Sequence, residues 1–126
     1  MPSYKTKEEL YAVVERTVAI LQASQSLKAK SSQADVSVGF MVTDLGAEFC
    51  LRFSKGEVAG ETGKSKDCSV GVSLSSATLD GIFSGKQDPE MAYTYGWLNL
   101  RGSEYVAEGL LRFWGELTAA YNAATQ

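Results

Sequence analysis

Residues 79–102 read LDGIFSGKQDPEMAYTYGWLNLRG, and this stretch limits the fold more than any other. Leu79, Ile82 and Phe83 give one apolar helical face, which Gly85 ends in a left-handed turn. Asp88-Pro89-Glu90 opens a second helix. Asp88 is its cap, and Pro89 takes the first helical position, where its missing N–H costs nothing. Gly96 stops that helix after Tyr95. Residues 97–101 then alternate as a strand, with Leu98 and Leu100 on one face. Helices this short cannot close a core of their own, so they must lie over a sheet.

The sheet is encoded upstream. Val36, Val38, Phe40 and Val42 alternate with Ser37, Gly39 and Met41. After the turn Asp44-Leu45-Gly46, Phe49, Leu51 and Phe53 alternate with Cys50, Arg52 and Ser54, so residues 35–54 form a hairpin. Residues 57–59 read as a weak edge strand and residues 60–66 as a polar loop. Cys68, Val70, Val72 and Leu74 alternate with Ser69, Gly71 and Ser73. One sheet face is therefore large and apolar, the other small and polar.

Helices flank these strands. Thr6 and Glu9 have capping-box spacing, and Leu10, Val13, Val14, Thr17, Val18 and Leu21 recur on one face of a helix over residues 6–23. Residues 24–34 are serine-rich and read as a connecting loop. Ser103 caps a last helix over residues 104–123, with Val106, Leu110, Phe113, Trp114, Leu117 and Tyr121 on one stripe. Gly109 and Gly115 each weaken it by roughly 1 kcal/mol against alanine, which points to a close neighbour or to a helix that shifts. The order defines one α+β domain over residues 1–126, with helices gathered on one sheet face.

Composition excludes most chemistry. The net charge of −3 argues against nucleic acid. The acidity is uneven: residues 1–34 are mildly basic through Lys5, Lys7, Arg16, Lys28 and Lys30. With no histidine, Ser–His, Cys–His and His-based metal schemes all fall. The two cysteines make no zinc site and read as small buried residues, with a disulfide left open. Asp80 with Asp88, and Glu104 with Glu108, read as caps and exposed neighbours rather than acid/base pairs. Residues 60–65 (GETGKS) have too short a glycine spacing for a phosphate loop. No metal or cofactor is expected. No apolar run approaches the roughly 18 residues of a membrane span, no signal peptide or peroxisomal carboxyl terminus is evident, and the cytoplasm is the default location.

What is left is a surplus of apolar and aromatic side chains, which from pattern alone reads most simply as a solid core. Residues 70–102, however, resemble the sterol carrier protein 2 (SCP-2-like) domain. The shared pattern is an alternating strand, a serine-rich helix start, Leu79, the apolar pair Ile82-Phe83, and Gly85-Lys86. Asp88-Pro89, Ala92, an aromatic, Gly96 and a strand ending at Gly102 complete it. The hairpin segment Phe49–Phe53 before Lys55-Gly56 also fits, and the likeness extends over residues 36–121.

The resemblance implies a five-stranded, mostly antiparallel sheet with helices over one face and an apolar tunnel between. It implies non-catalytic binding and transfer of a fatty acid, fatty acyl-CoA, sterol or isoprenoid quinone. The ligand would then meet Phe40, Phe49, Leu51, Val70, Val72 and Leu98 from the sheet. From the helices it would meet Leu79, Ile82, Phe83, Met91, Tyr95, Val106, Leu110, Phe113 and Trp114. Tyr93, Tyr95 or Arg101 would meet its head group. Transient membrane contact through the first helix, a homodimer, or an accessory role with a filled core (for example in isoprenoid-quinone synthesis) are the other expectations. Trp97 departs from the pattern and is expected to narrow the cavity.

Overall fold

The computed structural model describes residues 4–63 and 68–125. Five strands form one mixed sheet in the order β3-β2-β1-β4-β5. They are β1 (Asp35–Val42), β2 (Ala47–Ser54), β3 (Glu57–Thr62), β4 (Val70–Leu74) and β5 (Leu98–Arg101). All neighbours run antiparallel except β1 and β4, which are parallel. Phe40 lies opposite Phe49 in the hairpin and opposite Val72 on the other side. The large apolar residues of three strands thus share one face.

The helices are α1 (Lys7–Gln22), α2 (Gln25–Lys30), α3 (Ser76–Phe83), α4 (Pro89–Thr94), α5 (Glu104–Gly109) and α6 (Trp114–Ala124). α1 buries the predicted face of Leu10, Val13, Val14, Thr17, Val18 and Leu21, and Thr6 caps it by accepting from the Glu9 N–H. It packs on α6 and on the edge strand β3. Gly60 permits that approach: a Cβ there would lie 2.6 Å from Val18 Cγ2.

Four sequence expectations change, and one point left open is decided. Residues 24–34 hold the short helix α2, capped by Ser24 and anchored by the buried Leu27. One apolar residue in a polar stretch carries too little periodicity to announce a helix. β3 continues through Gly60, Glu61 and Thr62 because it pairs with β2 along that length; Lys64 and Ser65 of the suspected phosphate loop lie outside the described residues. The last helix is broken: α5 gives way at Leu110–Phe113 to a 3-10 turn before α6. No element approaches Gly109 or Gly115, where a Cβ would meet nothing within 4 Å.

Finally, Cys50 and Cys68 are joined as a disulfide. Parallel pairing sets the lead-in to β4 beside β1, where the Ser69 N–H donates to Ser37 Oγ at 2.8 Å. Cys68 then sits next to Cys50, whose β1 partner is Gly39.

Candidate functional site: an apolar cavity under two short helices

The core under the helices has two unlike halves. Beneath α1 and α6 the interior is solid, with a surface groove of about 250 Å³ where α1 meets the β3 edge at Val14, Val18, Gly60 and Thr62. Phe40 stacks on Phe49 at 4.9 Å, and Phe83 meets Phe40, Trp114 and Tyr121 edge-on at 5.4, 5.6 and 5.5 Å. Phe53 stacks on Phe113 at 5.1 Å. The void left among Leu10, Phe49, Leu51, Leu79 and Phe83 is about 10 Å³, room for no more than about one water.

Beneath α4 and α5 the core is hollow. A cavity of about 180 Å³ is floored by Val38, Phe40, Val70, Val72, Leu98 and Leu100 from β1, β4 and β5. Ile82 of α3, Leu110 and Leu111 of the 3-10 turn, and Trp114 of α6 close one side. Pro89, Glu90, Tyr93 and Thr94 of α4 and Glu104, Ala107 and Glu108 of α5 form the roof. The register explains the floor: Val38 pairs with Val70, Phe40 with Val72, and Val72 with Leu100, so their side chains point one way. The wall is fixed because Trp114 Nε1 donates to the Ile82 carbonyl at 3.2 Å.

The roof is lightly held. α4 is six residues long and anchored by Ala92, its one fully buried side chain. α5 has none. The two helices are tied by Tyr93, whose hydroxyl donates to Glu104 Oε1. That bond, with the Glu104 charge, pushes the Tyr93 hydroxyl above its ordinary pKa.

Of the expected ligand-facing residues, Phe40, Val70, Val72, Ile82, Leu98, Leu110 and Trp114 line this cavity. Phe49, Leu51, Leu79 and Phe83 belong to the solid half. Phe113 is buried against Phe53, and Val106 is half-buried outside the lining. Met91 and Tyr95 point to solvent, at 51% and 63% exposure. Trp97 is likewise exposed and does not narrow the cavity. Arg101 lies on the opposite sheet face, over Gly71, where a Cβ would be 2.6 Å from its Nη2.

The lining residues missed were Val38, Leu100 and Leu111 and all of the roof except Tyr93, which was expected at the head group. Ala92 faces inward, which turns Pro89, Glu90 and Tyr93 toward the cavity and Met91 away from it. The alanine was the available signal, since a small residue permits close approach of helix to sheet. The lining holds no thiol, and its hydrogen-bonding side chains are carboxylates, hydroxyls and one indole. Asp88 caps α4, and Asp80 is buried against Tyr121, so neither shares a site with a second carboxylate. No group of residues suited to hold a metal ion occurs among the described residues, and no described helix is long and apolar enough to cross a membrane.

A small mixed sheet with helices over one face and a hollow beneath two of them is the SCP-2-like fold. A conserved hypothetical protein of Thermus thermophilus, described as possibly a sterol carrier protein, superposes with a TM-score of 0.75 at 16% identity, over 90% of this chain and 86% of that one. A UbiJ-SCP2 ubiquinone synthesis protein matches with a TM-score of 0.64 at 18% identity, over 95% and 96% of the two chains. The sec-alkylsulfatase Pisa1 of Pseudomonas sp. matches with a TM-score of 0.61 at 26% identity, over 70% of this chain, which spans only 14% of that enzyme. No protein-family model and no curated protein matches the sequence. At these identities the likeness defines the fold.

Proposed function

We propose that this protein is a non-catalytic lipid-binding module that holds the apolar part of its ligand in the cavity between β1, β4, β5 and the α4–α5 roof. The observation that carries the reading is the cavity itself: an apolar floor of strand residues, a polar-edged roof, and no nucleophile or metal set in the lining. Sterol, isoprenoid quinone and acyl chains all fit that chemistry. Each methylene moved out of water contributes about 0.8 kcal/mol, offset by the cost of ordering ligand and roof.

The volume sets a condition. Ligand pockets usually run from about 300 Å³ upward, and this cavity measures about 180 Å³. A lipid therefore needs the roof to rise, and α5, held by its short connection and by Tyr93, is the element able to do so.

A second reading is supported by a separate feature. Met91, Tyr95, Trp97 and Tyr105 are all exposed beside the roof, and aromatic and methionine side chains are enriched where proteins meet. The same fold in a ubiquinone synthesis protein supports an accessory role. Native mass spectrometry of the purified protein, followed by solvent extraction, addresses both readings. Co-purifying lipid is the expected result. Protein without lipid, together with no displacement of a fluorescent fatty alcohol, would sink the first reading, and a retained second polypeptide would favour the other.

A further inference from the structure

The cavity carries charge of one sign. Glu90 on α4 and Glu104 and Glu108 on α5 are its charged lining residues, and no lysine or arginine lines it among the described residues. All three are exposed at the roof edge. None has a cationic partner there, the described ion pair being Lys30 with Glu116 at 3.0 Å. Two guanidiniums flank α5 in sequence: that of Arg101 lies across Gly71 on the far face of the sheet, and that of Arg112 is exposed and outside the lining. A ligand whose apolar part fills the floor and whose head emerges at the roof edge meets these carboxylates.

From this geometry, and resting on the lipid-binding reading above, we infer that the site selects its ligand by head-group charge. It takes lipids with a cationic or uncharged head and refuses carboxylate and phosphate heads. An anionic head would sit in a repulsive field partly shielded from water, where the Coulomb term exceeds its bulk value. A quaternary ammonium would gain both the carboxylates and the Tyr93 ring, since aromatic rings attract such cations. Fatty acids and acyl-CoA thereby fall behind alkylammonium lipids and uncharged lipids such as sterols and quinones.

The test compares three ligands with the same twelve-carbon chain, dodecyltrimethylammonium, dodecanol and dodecanoate, each below its micelle concentration at pH 8 and low salt. Each displaces an uncharged fluorescent fatty alcohol. The cation should bind about tenfold tighter than the carboxylate, with dodecanol between them, and the gap should shrink in about 0.5 M salt as screening sets in. In a Glu90→Gln, Glu108→Gln variant, which keeps the Tyr93–Glu104 bond of the roof, the ratio of cation to carboxylate affinity should fall severalfold. Should that variant fail to fold, Glu108→Lys gives the same reading by narrowing the gap. Dodecanoate binding as tightly as the cation in the unaltered protein overturns the inference while leaving lipid binding standing. Failure of all three ligands, dodecanol included, overturns both.

Discussion

Asp80 is a carboxylate with 2% of its surface exposed, on a helix otherwise committed to apolar packing. Its Oδ1 accepts from the Tyr121 hydroxyl at 2.7 Å, and Tyr121 in turn meets the Tyr4 hydroxyl at 2.5 Å. Its Oδ2 has no protein partner among the described residues. The chain of two tyrosines joins the amino terminus, α3 and α6 at one point. Removing one partner of a buried charged group costs more than the bond itself contributes, because the survivor stays desolvated. Tyr121→Phe is therefore expected to lower unfolding free energy by about 2 kcal/mol, measured by urea denaturation at pH 7. Burial, then the bonds to Tyr4 and Asp80, push the Tyr121 hydroxyl well above its ordinary value, and burial also raises Tyr4. The stability gained by keeping these hydroxyls neutral is fully present below about pH 10, the unfolded value for tyrosine. It is lost as pH rises further, because the unfolded chain releases protons that the folded chain keeps. Urea midpoints should thus fall as pH rises above about 10, and less steeply in Tyr121→Phe. An equal slope in the two proteins would show that Tyr121 does not cause it.

At the scale of single elements, length decided what the sequence disclosed. α1 has 16 residues, enough for its apolar stripe to repeat, and every residue of its buried face was legible. α2 and α4 have six residues each, under two turns, so no period can be read from them. α4 takes its phase from anchors instead: Asp88 accepts from the Glu90 N–H at 2.9 Å, and the Trp97 N–H closes on the Ala92 carbonyl at 2.8 Å. Those anchors turn Ala92 inward and leave Met91 and Tyr95, the more apolar pair, in solvent. The break after α5 was hidden for a related reason. Gly109 keeps helical angles, with φ of −59° and ψ of −28°, and the backbone leaves them further on, at Phe113, with φ of −103° and ψ of 4°. Because a Cβ at Gly109 meets nothing within 4 Å, Gly109→Ala should be accepted and should stiffen the junction. Stability is expected to rise by about 0.5–1 kcal/mol. If α5 is the part of the roof that lifts, stopped-flow uptake of the fluorescent fatty alcohol should slow severalfold with little change in affinity. Unchanged uptake at higher stability would put the moving part elsewhere, with α4 the remaining roof element.

At the scale of the whole molecule, one sheet face serves two purposes, and the division follows the strand order. β2 and β3 lie under α1, where Phe49 and Leu51 fill the space to the helix, while Phe53 packs on Phe113 of the 3-10 turn. β4 and β5 lie under α4 and α5, where valines and leucines floor a void that the roof spans without filling. The sequence places apolar residues alike in both halves, and packing alone distinguishes core from cavity, so the fold was readable and half of the site was not. Opposite substitutions in the two halves should therefore have opposite consequences. Phe49→Ala removes a ring stacked at 4.9 Å on Phe40 in the solid half. It is expected to cost about 3–5 kcal/mol of stability, with ligand affinity per folded molecule nearly kept. Val72→Phe adds a ring to the cavity floor, where space exists to receive it. Stability should change by less than about 1.5 kcal/mol, since the added volume enters a void rather than a packed core, while displacement of the fluorescent alcohol should weaken at least tenfold. Thermal unfolding and ligand titration of the two variants, run side by side, separate the halves. Parallel losses of stability and binding in both would mean that the sheet face works as one continuous core and that the hollow under α4 and α5 does not hold the ligand.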